Sequence, residues 1–220
     1  MSTYSDIEIA IVKGIQKNAT LIPLLGVWAK TTANGVSVLD STTVTVATTN
    51  GFEAAGAFYL SSDSVAVTYT GKTTTTFTGC GAHRATVNAE TVKQAACHRR
   101  IRSDINQYYQ PQTPAVAITL LGREQDDRNT IRSFDKTFTG YLEVIGIGGN
   151  MGDTEDDVKS VMDTIESLFE TEAMNSSPFS ETDIFDVFLG SSTMIQGEAA
   201  ARLMAVVMFC NFTVENIVNV

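Results

Sequence analysis

Three groups of residues have types and spacings that could do chemistry. The first is Gly146-Ile147-Gly148-Gly149-Asn150-Met151-Gly152. It follows an apolar run and precedes a helical pattern, the setting in which glycine-rich loops cradle phosphate on free N–H groups. The spacing is neither Gly-x-Gly-x-x-Gly nor a Walker loop, and the residues that follow include Asp153, Glu155, Asp156 and Asp157. Carboxylates at the positive end of a helix dipole repel phosphate. A glycine turn without a nucleotide is therefore expected. The same carboxylates could hold a hard cation, but the Asp-x-Asp-x-Asp-Gly pattern of a calcium loop is absent from the sequence.

The second group is Cys80-x-x-His83 with Cys97-His98. Adjacent residues of a strand point to opposite faces, so positions 97 and 98 serve one tetrahedral zinc poorly. Two small buried thiols and two surface imidazoles are expected instead, with no metal. Only two histidines exist, neither in a Gly-x-Ser-x-Gly context. No catalytic residue, cofactor or enzyme activity is expected.

The third group is charge. Residues 153–172 hold eight carboxylates against Lys159. A solvated face and an electrostatic docking face or lumen wall both fit that pattern. Arg99, Arg100 and Arg102 form the one basic cluster. They are either solvated or set against an acidic neighbour, such as the acidic helix of another subunit. The segment 123–132 reads as a mixed-sign loop with Arg123, Glu124, Asp126, Asp127, Arg128 and Arg132. The candidate subunit or tube interface is thus Arg99, Arg100, Arg102, Arg123, Glu124, Asp126, Asp127, Arg128, Asp153, Glu155, Asp156 and Asp157.

The elements that must position these residues differ along the chain. Ser5-x-x-Glu8 fits a capping box, and Ile7, Ile11, Gly14 and Ile15 share one helical face, which predicts a helix over about 5–18. Residues 27–94 are rich in Thr, Ser, Val, Ala and Gly and carry balanced charge. Short runs at 36–39, 43–47, 57–60, 65–70 and 75–78 predict a small all-β module. Arg99–Gln110 reads as a short helix or an extended arm. Strands are predicted at 116–121 and 134–147, the second with a kink at Gly140. A helix capped by Asp153 or Thr154 follows, with Val158, Val161, Met162, Ile165, Leu168 and Phe169 as its apolar stripe. Strands at 184–189 and 205–214 close the chain.

This order predicts an α+β fold: an antiparallel sheet packed on two helices, α-β-β-α-β-β, with an inserted small all-β domain. Residues 1–26 and 99–220 form the framework, and 27–98 the insert. Lys and Arg number 15 against 25 Asp and Glu, a net charge of −10, which argues against a general nucleic-acid binder. No apolar run reaches the ~18 residues of a membrane helix. The opening Met1-Ser-Thr-Tyr-Ser-Asp has neither a basic nor an apolar region, so no secretory signal is expected. Three widely spaced cysteines point to folding in a reducing cytoplasm.

The framework resembles the tail terminator (tail completion, minor tail protein U-like) proteins of long-tailed bacteriophages. The residues that carry this are Pro114-Ala-Val-Ala-Ile-Thr-Leu120, the acidic break at Glu124–Asp127, Gly140-Tyr-Leu-Glu-Val-Ile-Gly146, the helix at 154–171 and the last hairpin. The stretches Gly51-Phe52, Tyr69-Thr-Gly-Lys-Thr73 and Phe77-Thr-Gly79 resemble a β module of phage structural proteins. In that module an acidic residue often precedes the Tyr-Thr-Gly strand, whereas Val65-Ala66-Val67 stands here. Ordinary tail terminators lack such an insert. The resemblance implies a virion protein assembled in the host cytoplasm. It implies a ring, usually a hexamer, on the head-proximal end of the tail tube, ending tube polymerisation. The implied partners are other copies of the chain, the tail tube protein, a neck or connector protein and possibly a sheath protein, with genome DNA passing through the lumen unbound. A neck or head–tail joining protein, or a virion surface binding module built on the insert, are the alternatives.

Overall fold

In the computed structural model the described residues are 4–61, 63, 65–99, 112–126, 133–173, 184–198 and 204–219. The chain starts with helix α1 (Tyr4–Lys17). Seven short strands follow: β1 (Val27–Thr32), β2 (Thr43–Thr45), β3 (Gly56–Leu60), β4 (Ala66–Tyr69), β5 (Gly71–Lys72), β6 (Thr76–Thr78) and β7 (Thr91–Ala95). They make two sheets, ordered β1-β7-β3-β4 and β2-β6-β5. Then come β8 (Cys97–Arg99), β9 (Ala115–Asp126), β10 (Ser133–Gly148), helix α2 (Met151–Ala173), β11 (Ile184–Glu198) and β12 (Met204–Asn219). The last five strands form one sheet in the order β11-β12-β10-β9-β8.

The expected α+β two-layer class is overturned. The chain is mostly β, with three sheets and two helices among the described residues, and its elements do not run α-β-β-α-β-β. Two causes are visible. Eight strands lie between α1 and β9, and β8 joins the large sheet parallel to β9. The large strands also run 12–16 residues, because pairing continues through segments read as loop. Arg123, Glu124 and Asp126 stand on β9 opposite Phe138, Thr137 and Asp135. The predicted strand at 36–39 is an exposed loop, with Val36, Val38 and Leu39 67–71% accessible. Of Arg99–Gln110, only Arg99 lies within the described residues, and it ends β8.

One core holds both helices against one face of the large sheet. Ile7, Ile11 and Ile15 of α1 and Val158, Val161, Met162, Ile165, Leu168 and Phe169 of α2 meet Val116, Ile118, Phe138, Leu142, Val144 and Val206. Each such side chain contributes about 1.5–3 kcal/mol on leaving water. A second core fills the space between the two small sheets. Its rings touch in sequence, Phe52 to Phe77 at 5.0 Å, Phe58 to Phe77 at 4.7 Å and Tyr69 to Phe77 at 4.8 Å. Tyr59 and Ala95 turn away from that core and into the helical one.

Helix α1 is therefore covered on more than one side. It packs against β3 and β4 of a small sheet as well as β8 and β9 of the large one, and residues 10–16 are all buried. A helix buried nearly all round leaves its polar side chains no water, so they must bond to protein. Gln16, 1% exposed, donates from Nε2 to the Cys97 carbonyl at 2.7 Å and accepts the Ala57 N–H on Oε1 at 2.8 Å. Gln94 donates to the Tyr69 hydroxyl at 2.9 Å and to the Ala57 carbonyl at 3.3 Å. Tyr69 in turn donates to the Glu53 carbonyl at 2.9 Å. Gly56 leaves room for this network, since a Cβ there would lie 2.6 Å from Gln16 Oε1. Ser5, expected as the N-cap, lies inside α1, and the Glu8 carboxylate accepts the Leu120 N–H at 2.9 Å. Leu120 sits beside a register shift of β9 at Thr139/Gly140, which leaves Leu121 unpaired and 60% exposed.

Replacing Gln16 by Leu keeps the volume but strands one buried carbonyl and one buried N–H. Each stranded group costs about 1–3 kcal/mol, so Gln16→Leu is expected to lose about 2–6 kcal/mol in urea unfolding.

Candidate assembly surface

The glycine turn is explained by helix packing. Helix α2 packs on β10, β12 and β11, and it starts just after β10 stops. A Cβ at Gly146 would lie 2.6 Å from Val158 Cγ2 and 2.9 Å from Thr154 Cγ2. A Cβ at Gly148 would lie 2.3 Å from Thr154 Oγ1. Glycine at both positions lets the first turn of α2 sit on the strand. The helix is capped by Asn150, whose Oδ1 accepts the Gly152 N–H at 3.1 Å, and not by Asp153 or Thr154 as expected. Thr154 is buried and donates to the Asn150 carbonyl at 2.7 Å. Asn150 Nδ2 also holds Asp153 Oδ2 at 3.0 Å. A cavity of about 320 Å³ lies over this turn, with Thr113, Gly148, Asp153 and Asp157 among its lining. Its carboxylates make it a poor seat for an anion.

The histidines are buried, where surface imidazoles were expected. His83 is 6% exposed, and its two ring nitrogens lie 2.5 Å from the Arg84 carbonyl and 3.0 Å from the Ser41 carbonyl, so no lone pair aims at a metal. His98, 3% exposed, stacks on Trp28 with ring centroids 4.4 Å apart. Burial pushes the Cys80 thiol up to about 11 and the Cys97 thiol well above its usual range, which makes both poor nucleophiles. Among the described residues, no group of three or more His, Cys, Asp or Glu side chains converges.

The charged candidates fall on two opposite margins of the large sheet. Asp153, Glu155, Asp156 and Asp157 lie on α2, where Asp153, Asp156 and Asp157 are exposed and Glu155 is half-buried. Glu155 is tied on two sides, to Lys159 Nζ at 2.5 Å and to Gln196 Nε2 of β11 at 2.9 Å. The Lys159 ammonium holds that carboxyl below its usual range. Helix α2 thus lies over β10, β12 and β11, the half of the sheet that ends in the β11 edge. Arg99 on β8 and Arg123, Glu124 and Asp126 on β9 belong to the other. Arg100, Arg102, Asp127 and Arg128 lie outside the described residues.

Sequence reasoning missed Gln16, Gln94 and Asn150. For Gln16 a signal existed: Ile7, Ile9, Ala10, Ile11, Val12 and Ile15 spread round most of α1, wider than one apolar stripe. Nothing in the sequence marks Gln94 as the partner of Tyr69.

On the face of the large sheet away from the helices, Glu143 is half-buried, and desolvation raises its pKa above 4.5. Its charge therefore opposes folding, and stability falls as pH rises through the raised value, while below 4.5 both states are protonated. Glu143→Gln is expected to raise Tm at pH 7 by about 1–3 °C, with the gap closing by about pH 4 in thermal melts. Gly146→Ala is expected to cost about 1–3 kcal/mol by overpacking. Gly149→Ala, whose Cβ meets nothing within 4 Å, should leave the urea midpoint unchanged.

No protein-family model matches the chain, and no curated protein sequence matches it.

Proposed function

We propose that this protein is a structural assembly protein of the phage tail-terminator kind. In this reading it forms a ring at the head-proximal end of a tail tube, ends tube polymerisation and joins the tail to a neck or connector protein. The observation that carries the reading is the large sheet with two unlike margins, the β11 edge beside the strands that α2 covers on one side and β8 and β9 on the other. Unlike margins meet head to tail, and a head-to-tail contact closes into a ring when its rotation divides a full turn. The excess of carboxylates on α2 suits a wall past which DNA slides without sticking. The buried thiols, the engaged imidazoles and the packing role of the glycine turn also favour a structural part over an enzyme.

A second reading has one observation behind it. Val36, Val38 and Leu39 are 67–71% exposed on a loop held by hydrogen bonds from the Ser37 N–H to Thr86 Oγ1 at 2.8 Å and from the His83 N–H to Asp40 Oδ1 at 2.9 Å. Fixed, exposed aliphatic side chains suit a binding module on the virion surface.

Light scattering after size exclusion separates the two, with and without purified tail-tube protein. A ring of about 142 kDa, six copies of 23.7 kDa, is expected alone or on the tube. A strict monomer that ignores the tube would overturn the terminator reading and leave the binding module.

A further inference from the structure

We infer that copies of this chain join by strand addition, the outer edge of β11 in one copy pairing antiparallel with the distal half of β9 in the next. The inference rests on the head-to-tail ring reading and names the bonds that would build it.

The large sheet has two open stretches of backbone. At one margin β11 pairs only with β12, and no described strand lies on its outer side. Edges of natural sheets are blunted by Lys, Pro or bulges. From Ile184 to Gly197 there is no Lys, Arg or Pro, and Gly190–Thr193 and Ile195–Gly197 are exposed. Register shifts at Ile184/Asp186 and Leu189/Ser192 bound a regular run, Asp186–Leu189. At the other margin β8 covers only Val116–Ile118 of β9. Glu8 takes the Leu120 N–H, Leu121 bulges, and regular pairing to β10 resumes at Gly122 and runs to Asp126. The outer side of that run has no described strand.

These two stretches stand at the same height. Three ladders trace rows across the sheet: Glu124–Thr137–Glu215–Asp186, Arg123–Phe138–Val214–Val187 and Gly122–Thr139–Thr213–Phe188. A cyclic ring has no rise per copy, so rows of one copy meet rows of the next at similar level. The directions also agree. β9 and β12 run one way and β10 and β11 the other, since β9–β10, β10–β12 and β12–β11 are all antiparallel. With the ring axis along the strands, every copy keeps its direction. β11 then meets the neighbour's β9 antiparallel, the more stable pairing.

The test is disulfide trapping between full-length copies. Asp186→Cys is mixed in trans with Arg123→Cys, Glu124→Cys or Gln125→Cys and oxidised, with mass measured in parallel. The wild-type chain sets the background from Cys80, Cys97 and Cys210. A linked dimer in at least one mixture and in none of the single variants is expected, because only facing strands bring Cβ atoms within about 3.5–4.5 Å. The double variant Glu124→Cys/Asp186→Cys, or its neighbour in register, should then give a ladder of linked copies. A ring of the right mass with no link in any mixture would overturn the strand pairing and leave the ring reading standing. Linking of Asp186→Cys to itself alone would replace the ring with a twofold dimer through β11. A monomer without links would overturn both readings.

Discussion

The Gln16 side-chain amide is the bond on which the rest of the molecule depends. It lies in a helix with no wet face at that level, and both ends of the amide are used at once, by the Ala57 N–H of β3 and the Cys97 carbonyl of β8. Those two strands belong to different sheets. A polar group buried without partners costs more than a made bond returns, so the site fixes the distance between the sheets more sharply than apolar packing could. Gln94, Tyr69 and Gly56 extend the constraint into the small sheet. The insert is consequently no ornament hung on the framework. It supplies Tyr59 and Ala95 to the helical core.

Helix α2 is placed by a different device, close approach. Glycines at 146 and 148 remove the side chains that would hold its first turn off β10. The helix then lies flat enough for Val158, Val161, Met162 and Ile165 to reach the sheet, leaving its carboxylates outside. Packing and electrostatics are thus divided between opposite faces of one helix. The glycine pattern that suggests phosphate chemistry in the sequence is the geometric requirement of that division.

Much of the pattern was legible in the sequence. The apolar stripe of α2 is the buried stripe, because an amphipathic surface helix has one core face and one wet face. The irregularity falls at Thr139/Gly140, where the sequence suggested a kink at Gly140. The fold class was not legible. Arg123, Glu124 and Asp126 look like a loop by composition, yet they extend β9, because backbone pairing with a long neighbour overrides a polar sequence. Strand β8 is three residues long and parallel, too short to leave a periodic signal. The loop at 36–39 has strand-like residues without a partner to pair with. Of the interface candidates, the α2 carboxylates stand out in the sequence by charge alone, and Asp153, Asp156 and Asp157 are exposed. That Glu155 also reaches β11 through Gln196 depends on a contact 41 residues distant, which no local pattern encodes.

The burial of α1 has a consequence in time. The helix precedes all its partners in the chain: Gln16 must wait for a carbonyl 81 residues later and Glu8 for an N–H 112 residues later. At about 5–20 residues per second, the Leu120 partner of Glu8 appears roughly 5–20 s after Glu8 itself. During that interval β3, β4 and β8 are made before β9, so the native cover of α1 arrives in stages and β9 closes it last. The nascent chain thus carries an incompletely covered apolar helix until β9 arrives, and growth of the chain, more than any local folding step, sets when its cover is complete.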